Sequence, residues 1–187
     1  FFAGIVLVGG VKRVGAVAGK LVPFMAVIYI VMCLVIIFMN IDRVPFVFWW
    51  VISDAFTPTA AQGGFVGASV MMAIRMGMAR GVFSNEAGLG SAPMAHAAST
   101  AESPLVQASI GMLDVFIDTI IVCSMTGFVI LVSLDPVGQP LWSSGMGGGV
   151  LTAAAFQYNL PGFGEYGVTF CLTLFAFTTA LGWCVYG

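Results

Sequence analysis

From Leu21 to Asn40 the chain runs without a single charged side chain. That is about the 20 residues an α-helix needs to cross the hydrocarbon core of a bilayer. In lipid every backbone N–H and C=O must be satisfied within the segment, so such a run is committed to helix. Four more apolar stretches follow the same logic, at 1–10, 44–81, 105–133 and 165–187. Composition leaves no other solvent for them. The chain is 60% apolar and only 7% charged, where a soluble domain carries roughly 25% charged residues. Six basic and eight acidic side chains cannot cover a globule of this size. An ordinary soluble domain, a disordered chain and a nucleic-acid binder with a basic face are excluded. The class is an all-α integral membrane protein, read as one incomplete transmembrane domain.

The chain opens on Phe1-Phe2 and stops at Gly187 inside an apolar run, so it is expected to be an internal piece of a larger membrane protein. Residues 1–10 read as the tail of a cut span, and 134–161, rich in Gly, Ser and Pro, as an extended loop. Ser103-Pro104 supplies an N-cap and a first-turn proline for the fourth span. Cys33, Cys123, Cys171 and Cys184 all lie in apolar runs and read as small hydrophobes. Basic residues orient the spans. Lys12, Arg13, Lys20, Arg75 and Arg80 fall on one side if spans alternate, and Arg43 alone on the other. The loops at 11–20 and 82–104 are therefore expected in the cytoplasm, with 41–43 and 134–164 outside.

The third span is too long for one straight crossing and carries a break near 57–65. Pro58 removes a donor and clashes with the preceding turn. Gly63-Gly64 costs about 1 kcal/mol per residue relative to Ala in a helix interior. Two half-helices, 44–56 and 66–81, are expected to flank an unwound stretch. A proline kink or two short interfacial helices would fit the same residues. Irregular backbone at membrane depth is tolerated where it lines a cavity, and secondary transporters bind substrate and ions at such breaks. A half-helix N-terminus suits a carboxylate.

Other polar groups fall at a similar depth. Asp118 sits near the middle of the fourth span, where a carboxylate is expensive and faces the bundle interior. It reads either as a coupling-ion or proton-titrating group, or as a structural hydrogen-bond acceptor. Thr178 and Thr179 lie near the middle of the fifth span. Such hydroxyls commonly bond back to the preceding turn, but their depth matches that of the break and of Asp118. Trp183 follows one turn later. His96 is the only histidine and lies with Ser84, Glu86 and Ser91 in the 82–104 loop. A hydrolase would need a nucleophile, a base and an oxyanion hole in fixed geometry, which one histidine supports weakly. No Cys/His spacing suits a metal.

The stretch Arg80-Gly-Val-Phe-Ser-Asn-Glu-Ala-Gly-Leu-Gly-Ser-Ala-Pro-Met-Ala-His-Ala-Ala98 resembles the alanine or glycine:cation symporters, sodium-coupled carriers of small neutral amino acids. Lys20–Met25, Ala55–Ala61, Gly63–Phe65, Val115–Thr119 and Leu174–Trp183 are similar to that family as well, so the resemblance covers the whole chain. It implies the five-plus-five inverted-repeat fold of the leucine-transporter type. The chain would then run from the end of core helix four to core helix eight, with the interrupted span as core helix six. The resemblance places Thr178 and Thr179 where a hydroxyl pair helps to bind sodium. Backbone at Thr59, Gly63 and Gly64 would hold the polar ends of the substrate, and Phe65 and Trp183 would wall the pocket. Arg80, Asn85 and Glu86 would form a cytoplasmic gate, Asn85 by capping a helix end and Glu86 by pairing with Arg80, with direct contact to the substrate as the alternative. Gln62 stands where many relatives carry a small apolar residue.

The expected function is sodium-coupled symport of alanine or glycine across the cell membrane by alternating access. No catalytic residue and no cofactor beyond the coupling ion are expected. The alternatives are a carrier coupled to protons or another cation, and an intramembrane enzyme using the His96 loop.

Overall fold

A computed structural model describes residues 2–56, 74–75, 77–79, 81–82, 84–86, 89–97 and 99–186. Within them regular structure is helical, apart from one isolated bridge between Leu134 and Pro140. In chain order the helices are α1 (Phe2–Leu7), α2 (Gly10–Met39), α3 (Val44–Phe56), α4 (Ser91–Ala97) and α5 (Pro104–Phe116). A π-helical segment, Ile117–Cys123, joins α5 to α6 (Ser124–Val132). A 3₁₀ turn at Leu141–Ser144, α7 (Gly148–Asn159) and α8 (Gly164–Tyr186) complete the order. Among the described residues three rods are long and apolar enough to span a bilayer: Gly10–Met39, Pro104–Val132 and Gly164–Cys184.

Local chemistry explains the element limits. Ser103 is extended and its hydroxyl accepts from the Val106 amide at 3.3 Å, with Pro104 opening α5. This capping satisfies one of the donors left over in a first turn. The helix α3 ends at Phe56, just before Thr57-Pro58. The expected break at 57–65 lies outside the described residues, as do Thr59, Gly63, Gly64, Phe65 and Arg80.

Three stretches depart from the sequence reading. Residues 11–20 are not a loop but the first turns of α2, since Lys and Arg are good helix formers. Residues 2–9, read from sequence as the tail of a cut span, form the six-residue α1 and a turn leading directly into α2. The 134–161 stretch contains α7, whose interior, Val150-Leu-Thr-Ala-Ala-Ala-Phe156, is rich in strong helix formers between glycine-rich flanks.

The core forms where α2, α6, α7 and α8 meet. Met32, Cys33 and Ile36 of α2 pack with Val129 and Val132 of α6, Phe156 of α7, and Val168 and Cys171 of α8. Tyr29 is buried among them, its ring 5.6 Å from Phe156 and edge-on to Phe175 at 6.3 Å. Its hydroxyl lies 2.7 Å from the Thr126 hydroxyl, the partner that a buried phenol requires. At one end of the bundle Asn40 donates to Asn159 at 2.8 Å, Asn159 donates to Ser133 at 2.6 Å, and Arg43 donates to the Val132 carbonyl at 3.2 Å. The segments after α2, α6 and α7 are thereby tied together. The opposite arrangement holds along α5, where Leu105, Ile110, Met112, Leu113 and Phe116 point outward. An apolar surface of that kind is suited to hydrocarbon or to further helices.

Candidate functional site

Helices α2, α4 and α8, the 84–86 segment and the Pro104–Val132 rod line a cavity of about 370 Å³. One wall is Val22 and Met25 of α2, and another is Thr178, Thr179 and Trp183 of α8. Asp114 and Asp118 come from the rod, Asn85 and Glu86 from the glycine-rich motif, and His96 from α4. Seven of the residues expected at a site from sequence are described, and all line this one space: Asn85, Glu86, Asp118, Thr178, Thr179, Trp183 and His96. Ligand pockets run from about 300 to 1,000 Å³, so this one is sized for a small molecule.

A larger cavity of about 830 Å³ lies between α4 and the start of α5, and His96 borders both. Its walls include Pro93, Pro104 and Met112, with Glu102 as its one carboxylate. The smaller cavity is the candidate because polar groups from the 84–86 segment, α4, α8 and the Pro104–Val132 rod converge on it, although size alone would favour the larger one.

The motif residues are pinned one by one. Ser84 donates to Asp118 at 2.5 Å, Asn85 donates to the Thr119 hydroxyl at 2.7 Å, and Ser91 donates to Glu86 at 2.5 Å. Asn85 is thus held against the rod, and the Glu86 carboxylate against the start of α4. Glu86 adopts φ 55°, a left-handed backbone that side chains other than Gly, Asn and Asp seldom take. Backbone strain of this kind is held in place by its surroundings and clusters at functional sites. Asp118 and Thr119 are half-buried, whereas Asp114 is exposed.

Thr178 donates its hydroxyl proton back to the carbonyls of Leu174 and Phe175, at 3.0 and 3.1 Å. A hydroxyl that has given away its proton still carries lone pairs, and these suit a small cation. Among the described residues no group of three or more His, Cys, Asp or Glu could hold a metal ion. The groups named in the enzyme alternative are each engaged with a neighbour. His96 Nδ1 lies 2.6 Å from the Gln107 amide nitrogen, while Ser84 and Ser91 donate to carboxylates. A side chain at Gly111 would bring its Cβ to 3.2 Å from His96 Nε2, so glycine there makes room for the ring.

Ser84 and Thr119 were not expected to meet. They come from segments far apart in sequence, and no periodicity connects them. The π-helical segment likewise has no sequence signature.

A family model described as the Sodium:alanine symporter family matches residues 1–187. An uncharacterized transporter of Haemophilus influenzae is 47% identical over 98% of this chain and 40% of its own length. The sodium/alanine symporter AgcS of Methanococcus maripaludis is 43% identical over 100% of this chain and 40% of its own. The probable sodium/glutamine symporter GlnT of Bacillus subtilis is 36% identical over 98% of this chain and 37% of its own. The chain thus spans well under half the length of these curated relatives. No solved structure matches it. Matched by that family model from its first residue to its last, and carrying the 80–98 motif from which the same family is expected, the chain belongs to the sodium:alanine symporter family.

Proposed function

We propose that the protein containing this chain is a sodium-coupled symporter of a small neutral amino acid, alanine or glycine, working by alternating access in the cell membrane. One observation carries the reading: a single cavity of about 370 Å³ collects motif residues, a threonine pair and a half-buried carboxylate from separate helices. The size suits a small zwitterion, and AgcS, a relative at 43% identity, is named a sodium/alanine symporter.

In this reading Thr178 and Thr179 supply sodium ligands, with Thr178 already orienting its lone pairs away from its own carbonyl acceptors. Trp183 and Phe65 limit side-chain size, and backbone at Thr59, Gly63 and Gly64 holds the substrate's polar ends. Arg80, Asn85 and Glu86 form the inner gate, on the cytoplasmic side with 11–20 and 82–104. The helices belong to a leucine-transporter-type inverted repeat, with the break in the third span as one half of the midplane site. Coupling arises because sodium and substrate stabilise the same occluded state, each raising the affinity for the other. No cofactor is needed.

The test is radiolabelled uptake by the full-length protein in proteoliposomes. Alanine should accumulate only under an inward sodium gradient. Equal uptake with potassium in place of sodium overturns sodium coupling, and uptake driven by a proton gradient alone transfers the role to protons. Because GlnT is named for glutamine, unlabelled glutamine belongs among the competitors. Glycine should compete better if the cavity is as narrow as its volume suggests.

A further inference from the structure

Ser84 contacts two residues of the rod at once. Its hydroxyl donates to Asp118 Oδ2 at 2.5 Å and lies 3.3 Å from Cys123 Sγ. Those partners are five residues apart. In an α-helix of 3.6 residues per turn, five residues turn ~140° away from the starting face. They sit on one face here because Ile117–Cys123 is π-helical, with bonds closing over five residues instead of four. Next along the chain, Asn85 bonds Thr119, which lies in the same π-helical segment. Two consecutive motif residues therefore dock on two consecutive residues of a widened turn. Both docked residues lead into Glu86, whose left-handed backbone and Ser91 bond complete the inner wall of the cavity.

We propose that Asp118 is a positioning residue, neither a coupling-ion ligand nor a proton carrier. Together with Thr119 on the π-helical turn, it forms a seat that holds Ser84–Asn85–Glu86 in the shape the substrate meets. The inference rests on the symport reading for its transport readout but not for its structural one. The carboxylate oxygen that faces the motif, Oδ2, is already engaged by the Ser84 hydroxyl. What the site requires from residue 118 is then an oxygen in that place, rather than a negative charge.

The variants Asp118→Ala, Asp118→Asn, Ser84→Ala, Thr119→Val and Thr119→Ser of the full-length protein separate these roles. Asp118→Ala and Ser84→Ala should each raise the KM for alanine about tenfold, the scale of one lost hydrogen bond to a charged group. The maximal rate and the half-saturating sodium concentration should stay within about twofold of wild type. The double variant should be no worse than either single one. Asp118→Asn keeps an acceptor oxygen and should restore most of the lost affinity, and Thr119→Ser should do the same relative to Thr119→Val. Asp118→Asn as damaging as Asp118→Ala, a changed sodium requirement, or additive losses in the double variant would each overturn the proposal. Hydrogen exchange across residues 84–97 in detergent gives a readout independent of transport. Exchange should rise in Asp118→Ala and Ser84→Ala and stay near wild type in Asp118→Asn. If wild type fails to take up alanine but this pattern holds, the substrate reading falls and the seat stands. If exchange is equal in all variants, the seat falls.

Discussion

At the scale of single residues, the proposed site divides groups that would touch a ligand from groups that would shape the wall. Thr178 and Thr179 are adjacent in sequence, yet only Thr178 is half-buried and bonded back along α8, while Thr179 is exposed. If both ligate sodium, Thr179→Val removes a ligand without disturbing a bond that holds the helix. The expected result is a rise of about tenfold in the sodium concentration for half-maximal uptake, with the detergent-purified protein as heat-stable as wild type. An unchanged sodium dependence removes Thr179 from the site. These threonines, Trp183 and Asp118 were legible because depth along an apolar run can be counted from sequence. Ser84 and Thr119 were not, because a hydrogen bond between distant segments depends on how two helices are turned. The expected pairing of Glu86 with Arg80 involves a residue outside the described set; among the described residues the Glu86 carboxylate accepts from Ser91.

At the scale of elements, the turn between α7 and α8 is the tightest joint. The Gly164 amide donates to the Leu160 carbonyl at 2.8 Å, and a Cβ at Gly164 would fall on the Phe156 carbonyl oxygen. Backbone cannot swing aside as a side chain can, and overpacking costs typically 1–3 kcal/mol or more. Gly164→Ala should therefore lower the melting temperature of the purified full-length protein by at least several degrees. The atoms nearest a Cβ at Gly167 are the flexible end of Met32 and the Phe163 ring, so Gly167→Ala should be milder. A Gly164→Ala protein as stable as wild type would show that this joint is loose. The three long rods follow from hydropathy, since charge-free runs have no other stable form in lipid. The helix α7 was hidden by its flanks. Gly145 to Gly149 and Pro161-Gly162 dominate a reading by breakers, although the residues between favour helix. The π-helical segment was invisible for a different reason, since the residues that form it, Ile-Asp-Thr-Ile-Ile-Val-Cys, would suit an ordinary α-helix equally well.

At the scale of the whole molecule, the chain spans 40% of the length of AgcS. An alternating-access carrier builds its binding site between two structural repeats. Residues 1–187 expressed alone should insert into membranes yet give no sodium-driven alanine uptake above empty vesicles, and uptake by the isolated piece would overturn the repeat architecture. The 30 residues of α2 carry a further consequence. At a rise of 1.5 Å per residue it is about 45 Å long, against a hydrocarbon thickness of about 30 Å. Lys12, Arg13 and Lys20 all fall on its first eleven positions, and the remainder is uncharged to its end. The helix is therefore indexed against the bilayer like a ruler with one painted end. Shifting it by one turn toward its C-terminal end would draw Lys20 below the headgroups and wet Phe38 and Met39 at the far face, and shifting it the other way would draw Asn40 and Asp42 into hydrocarbon. α2 therefore has one preferred depth, and in the proposed carrier it would be a fixed post against which other helices could tilt.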